Sequence, residues 1–220
     1  MIKGKKVAFI GTDKYEILLY LSRILYHLNK KVLLVDFSET KALTESIPIP
    51  NLLHESTTYL DYRGIDFIKG RNYSLDMEKN YDYILFDLGF RKEILELLSY
   101  DEVLYVTDLQ LHNAKRIRGI KGKRGTSRPI VIKDVLPCKV TPEYILEQID
   151  ESMNWKKIYI IDQDDLDTKL KLHSQYNQRF YFHKLSKSMK TFLIDIILEF
   201  DENLNKIHIQ KAYKRAERGK

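Results

Sequence analysis

The chain has 220 residues, which suits one large α/β domain or a domain with a small appendage. An apolar fraction of 44% excludes global disorder, and a single cysteine, Cys138, excludes an internal disulfide framework and points to a reducing, cytoplasmic home. The net charge of +6 is local: residues 115–133 carry +8, residues 206–220 carry +5, and the remainder carries −7.

The N-terminal "KKVAFIG" is a short continuous apolar run, the pattern of a strand covered on both faces. It is too short for a secretion signal, and no apolar run in the chain reaches the roughly 18 residues that span a bilayer. "GTDKYE" follows, then a helix over residues 13–29 whose apolar positions Ile17, Leu18, Leu21, Ile24, Leu25 and Leu28 recur at helical spacing. Thr12 or Asp13 is its expected cap, and Glu16, three residues after Asp13, completes the pattern of a capping box. "KKVLLVDF" is the second strand. Residues 39–63 read as irregular, with Pro48 and Pro50 as breakers. The order then runs "GIDFIKG" (strand), "SLDMEKN" (helical turn), "YDYILFDLG" (buried strand), "RKEILELLSY" (helix) and "DEVLYVTDL" (strand). "HNAKRIRGIKG" is a basic helix, "RPIVIKDVL" a strand, and "TPEYILEQID" a helix with Thr141 as cap and Pro142 in its first position. "KKIYIID" is a last strand, and "SKSMKTFLIDIILEFDENL" a long amphipathic helix before a basic tail from residue 206. Cys138, beside Pro137, reads as a small apolar filler without chemistry. Strand–helix alternation with short links predicts a mostly parallel sheet with helices on both faces, a three-layer sandwich over residues 1–205 followed by the tail at 206–220.

The succession "KKVAFIG", "KKVLLVDFSE", "GIDFIKG", "YDYILFDLGF" and "DEVLYVTDLQLHNAKR" resembles the ParA/MinD family of deviant Walker A, P-loop ATPases, over nearly the whole chain from Lys5 to about Asn205. The resemblance implies a P-loop NTPase-like fold. It implies that Asp36 stands at the family's aspartate after the second strand and Asp87 at the Walker B aspartate, which helps hold magnesium. Both fall beyond the carboxyl ends of parallel strands, where ligands of open sheets bind; either is equally a strand-end carboxylate that caps a turn. The phosphate loop departs from the family. A "KGGxGKT" loop needs glycines that turn backbone N–H groups inward, a lysine for the phosphates and a small hydroxyl for magnesium. Here one glycine, Gly11, and one lysine, Lys14, stand in "GTDKYE", Tyr15 replaces the hydroxyl, and Asp13 adds a negative charge. Ser38 stands where the family has a second acid, "DLGF" replaces "DTPP", and "KDV" replaces an adenine-reading asparagine.

The expectation is therefore a catalytically degenerate member, a pseudo-ATPase with no catalytic residues and no resident metal or cofactor. Any residual ATP or magnesium binding is weak and runs through Gly11, Thr12, Lys14, Asp36 and Asp87. Within the family the TadZ/CpaE branch, which marks assembly sites of pili or secretion machines, is the nearest in spirit. It implies a homodimer, protein partners in an envelope-associated assembly, and a cytoplasmic protein peripheral at the membrane or pole. Two alternatives stand beside it. One is an active ATPase or kinase with a non-standard loop. The other is a partition-like protein that binds DNA nonspecifically through Lys115, Arg116, Arg118, Lys121, Lys123, Arg124, Arg128 and Lys133. The stretch and the tail together would face DNA or another anionic surface, although the tail's apolar face is thinner than that of a membrane-surface helix and simple solvation is its expected state.

Overall fold

The computed structural model describes residues 4–48, 60–120, 128–149 and 155–219. Among these residues eight strands form one sheet: β1 (Lys5–Gly11), β2 (Val32–Asp36), β3 (Leu60–Tyr62), β4 (Ile65–Lys69), β5 (Tyr83–Asp87), β6 (Glu102–Thr107), β7 (Arg128–Val135) and β8 (Trp155–Asp162). Their spatial order is β3-β4-β2-β5-β1-β6-β7-β8. All neighbours pair in parallel except the edge strand β3, which is antiparallel to β4. Eight helices accompany them among the described residues: α1 (Tyr15–His27), α2 (Ala42–Glu45), α3 (Lys92–Leu97), α4 (Leu111–Gly119), α5 (Pro142–Ile149), α6 (Asp165–Tyr176), α7 (Lys187–Phe200) and α8 (Lys206–Glu217). None is long and apolar enough to cross a membrane.

Strand alternation divides the interior into two cores. Val7 and Phe9 of β1 face one side, with Ile17, Leu21 and Leu25 of α1, Phe192 and Leu193 of α7 and Ile209 of α8. Ala8 and Ile10 face the other, with Ala114 and Ile117 of α4 and Ile145 and Ile149 of α5. Because both faces are covered, a central strand must be apolar at every position, which is why "VAFI" and "ILF" read as unbroken runs.

Several elements depart from the sequence expectation. The first helix begins at Tyr15, with Lys14 at its cap position and no side-chain cap, so the Thr12/Asp13 capping box does not form. Glu16 turns instead to Lys133. The stretch expected to be irregular contains α2 and β3, while residues 49–59 lie outside the described residues. α6 had no counterpart in the sequence reading; Asp164 caps it, its Oδ1 accepting from the Leu166 and Asp167 amides. The segment read as a solvated basic tail is α8, which packs on α1 and α7 with Ile209, Ala212, Tyr213 and Ala216 buried. Thr141 does cap α5, accepting the Tyr144 amide at 3.3 Å, with Pro142 in the first position.

Candidate functional site

β2, β5, β1 and β6 all end at one edge of the sheet, and the register sets Asp36 beside Asp87. That edge is where the sequence reading gathers its site residues, and it does bring Gly11, Thr12, Lys14, Asp36 and Asp87 together.

Gly11 ends β1 with φ 131°, and a Cβ there would lie 1.8 Å from the Val106 carbonyl oxygen, so only glycine fits. The backbone then stays bonded to its neighbours instead of opening into a loop. The Gly11 amide donates to the Gly89 carbonyl at 2.6 Å, and the Thr12 amide donates to the Val106 carbonyl at 3.0 Å. Neither N–H points inward to a phosphate.

Lys14 is fully buried. Its Nζ lies 2.7 Å from Asp87 Oδ1 and donates to the carbonyls of Gly11 (3.3 Å) and Thr12 (3.2 Å). The side chain curls back under its own turn and fills the space at the strand ends. Asp87 Oδ1 also accepts the Gly89 amide at 3.0 Å. Burial raises the Asp87 carboxyl above the ordinary carboxylate range; Lys14 opposes that rise, and Asp36 adds to it. Asp36 is saturated from its own side of the sheet. Its Oδ1 accepts from the Ser38 amide (2.9 Å) and hydroxyl (2.6 Å), and its Oδ2 from the Thr44 amide (3.0 Å) and hydroxyl (2.7 Å). Ser38, read as the loss of an acid, is thus a turn partner of Asp36.

Behind this layer Glu16 and Lys133 form a second buried ion pair, and Lys133 donates to the Asp13 carbonyl at 3.0 Å. Burial would raise the Glu16 carboxyl, but Lys133 and Lys171 outweigh it and hold it below its usual value. Lys133 is held above its usual value: burial lowers it, and Glu16 and Asp134 more than offset that. Nothing in the sequence order joined these two residues, 117 apart; the signal available was a charged residue at an inward position of each otherwise apolar element.

The open space left above the strand ends is a cleft of about 400 Å³, bordered by Thr12, Asp13, Glu39, Phe90, Asp108 and Arg116. Asp13 Oδ1 accepts from the Thr40 hydroxyl. Glu39 Oε2 accepts the Phe90 amide, and its Oε1 lies 3.6 Å from Arg116, whose guanidinium stacks 3.6 Å over the Phe90 ring. The carboxylates Asp13, Glu39, Asp108 and Asp134 share the lining with the cations Arg116, Lys133 and Lys171, so the cleft carries mixed charge rather than the cationic lining that favours a polyanion. ATP with magnesium does not fit the residues present: Lys14 stands in the phosphate space, the Gly11 and Thr12 amides are engaged, and both aspartates are committed to local partners.

The described residues of the basic stretch do not form one surface. Lys115 and Arg118 are exposed on α4, and Arg116 is held by Glu39 and Phe90. Arg128 begins β7 at the opposite edge of the sheet and donates to the Tyr105 hydroxyl at 3.2 Å. Lys133 is buried. Lys121, Lys123 and Arg124 lie outside the described residues. Among the described residues no cluster of three or more His, Cys, Asp or Glu has the geometry of a metal site. Cys138, expected to be a filler, is exposed.

No protein-family model and no curated protein sequence matches the chain. Solved structures do. The chain is similar to a protein of the MinC:MinD cell division complex of Aquifex aeolicus, with a TM-score of 0.58 and 17% identity over 99% of this chain and 97% of that one. It is similar to a plasmid partition protein of Borrelia burgdorferi bound to AMPPNP, with a TM-score of 0.56 and 14% identity over 89% and 99% of the two chains. A third likeness is to pNOB8 ParA bound to nonspecific DNA, with a TM-score of 0.50 and 15% identity over 98% and 99%. Over nearly its full length, the chain has the α/β fold of the ParA/MinD-type P-loop ATPases.

Proposed function

We propose that this protein keeps the ParA/MinD-type fold without its hydrolytic chemistry and acts as an interaction or localisation module, in the manner of the TadZ/CpaE branch. The observation that carries the reading is the buried pair of Lys14 and Asp87, 2.7 Å apart, in the space a triphosphate would need. Opening that space means separating two charges inside a dry interior, and removing one member of such a pair costs about 3–5 kcal/mol. Two backbone bonds, from the Gly11 and Thr12 amides, would also have to break. Binding to other proteins then replaces turnover as the protein's work. The likeness to a protein of a MinC:MinD complex supports a protein partner, and an envelope-associated machine and a homodimer are what the TadZ/CpaE likeness implies. The test is a phosphate-release assay with ATP and magnesium. The reading expects no turnover above background; a magnesium-dependent rate that Asp87→Ala abolishes would overturn it.

A second reading, nonspecific DNA binding, is favoured by one observation: α4 contains no acidic residue and exposes Lys115 and Arg118. The similar fold of a ParA bound to nonspecific DNA lends support. It expects a gel shift at low salt that fades steeply as salt rises and weakens in Lys115→Ser/Arg118→Ser. No shift at low salt ends it.

A further inference from the structure

Beyond β2 and β4 lies a second cavity, of about 240 Å³, separate from the cleft above Lys14. Among the described residues four cationic side chains line it, Lys41, Lys69, Arg71 and Arg91, against one carboxylate, Asp36. They come from four different places. Lys69 ends β4 and is the register partner of Asp36, Arg71 sits in the 3₁₀ turn Gly70–Asn72, Lys41 immediately precedes α2, and Arg91 immediately precedes α3. The fold therefore gathers these charges, rather than a basic run in the sequence.

The charges of Lys41, Arg71 and Arg91 are not cancelled among the described residues. Both oxygens of Asp36 are engaged by Ser38 and Thr44. Among the described residues the side chains of Lys41, Arg71 and Arg91 make no ion pair, whereas other exposed cations do, Lys79 with Asp76 and Lys92 with Glu96. Cations held around one concavity repel each other until an anion enters. Two guanidinium groups present planar pairs of donors that match phosphate oxygens. The position, beyond the carboxyl ends of parallel strands, is where open α/β sheets take ligands. The volume falls below the roughly 300 Å³ lower bound of pockets for drug-sized ligands, which suits a phosphate group with a small substituent rather than a whole nucleotide.

We propose that this cavity binds a phosphate group, carried by a free phosphorylated small molecule or by a lipid headgroup. The proposal goes beyond the functional reading above and does not need it: a catalytically active chain would carry the same cavity. Calorimetric titration of the full chain with inorganic phosphate and with pyrophosphate at low ionic strength reads the free source. Co-sedimentation with phosphatidylglycerol vesicles, against phosphatidylcholine vesicles, reads the headgroup source. Each is run on Arg71→Ser/Arg91→Ser and on Lys115→Ser/Arg118→Ser, which removes equal charge from α4. All four positions are partly or fully exposed, and matched thermal melts establish that both variants are folded. Arg71→Ser/Arg91→Ser weakens binding about tenfold or more in at least one arm while the α4 variant leaves it within about twofold, as expected for lost charge-assisted bonds. No saturable binding in either arm, or equal weakening by both variants, overturns the proposal.

Discussion

At Lys14 a lysine that the sequence places at the mouth of a parallel sheet is drawn inward onto Asp87. The consequence is energetic as well as steric. Lys14→Met leaves the Asp87 carboxylate buried without its cation, and urea denaturation should show a loss of about 3–5 kcal/mol. Lys14→Met combined with Asp87→Leu should recover most of that loss; a cost below about 1 kcal/mol for the single change would mean the pair is solvent-screened. The Glu16–Lys133 pair gives a pH signature. The Glu16 carboxyl is lowered in the folded state, so its contribution is present above the ordinary carboxylate value and is lost as pH falls through the lowered one. Lys133 is raised, so its contribution is present below the ordinary lysine value and is lost as pH rises through the raised one. Asp87 is raised and has the opposite sign to Glu16: its contribution is present in acid and is lost as pH rises. Glu16→Gln should therefore lose about 3 kcal/mol at neutral pH, with the difference from the parent shrinking in acid, read from denaturation midpoints across pH. A difference that holds constant into acid would contradict this assignment. Asp36 and Asp87 were legible in the sequence as strand-end carboxylates. What they bond was less so, although the spacing supplied a hint: Asp36 accepts from Ser38, Asp87 from Gly89 and Asp108 from Gln110, each two residues on. The inward turn of Lys14 had no signal, because a lysine at the start of a helix reads the same whether it faces solvent or the sheet.

Among the elements, α8 departs most from the expectation of a solvated tail. Its buried positions Ile209, Ala212, Tyr213 and Ala216 follow the i, i+3, i+4, i+7 pattern of a helix face. Two of the four are alanines, which add little to a hydropathy sum, and the surrounding lysines and arginines dominate the composition. Close packing on α1 makes use of small side chains, so the thin apolar face is a docking face. Ile209→Ala should cost about 2–5 kcal/mol, and truncation after Leu204 should lower the thermal midpoint, both followed by circular dichroism. A truncated chain with an unchanged midpoint would return the segment to the status of a tail. The first helix starts two residues later than its capping pattern predicted because Glu16 meets a stronger partner, Lys133, than a backbone amide. The strands were the most legible elements, since burial on both faces leaves no other reading for runs such as "VAFI" and "YILF". α6 was not legible: its sequence, "DLDTKLKLHSQY", is mostly polar, and its place on the α1 side of the sheet rests on Leu170, which packs against that core, and on the Tyr15 hydroxyl of α1, which donates to the Lys171 carbonyl.

For the molecule as a whole, the alternation of strands and helices carried the fold class, and the strand order carried the ParA/MinD likeness that the solved structures support at the level of fold. The sheet edge that this order creates holds two different electrostatic environments. The cleft above Lys14 has a lining of mixed charge, and the cavity beyond β2 and β4 is lined mostly by cations among the described residues. Composition gave only the sum, and the distribution along the chain pointed to two basic segments; within the first, the fold sends Arg128 to the far end of the sheet and Lys133 inside. The central claim is that the triphosphate space is closed by the Lys14–Asp87 pair. Isothermal titration of the full chain with ATP and magnesium at physiological salt tests it most directly. The account predicts no saturable, magnesium-dependent heat; tight magnesium-dependent binding that is lost in Lys14→Ala, in a variant that still melts cooperatively, would contradict it.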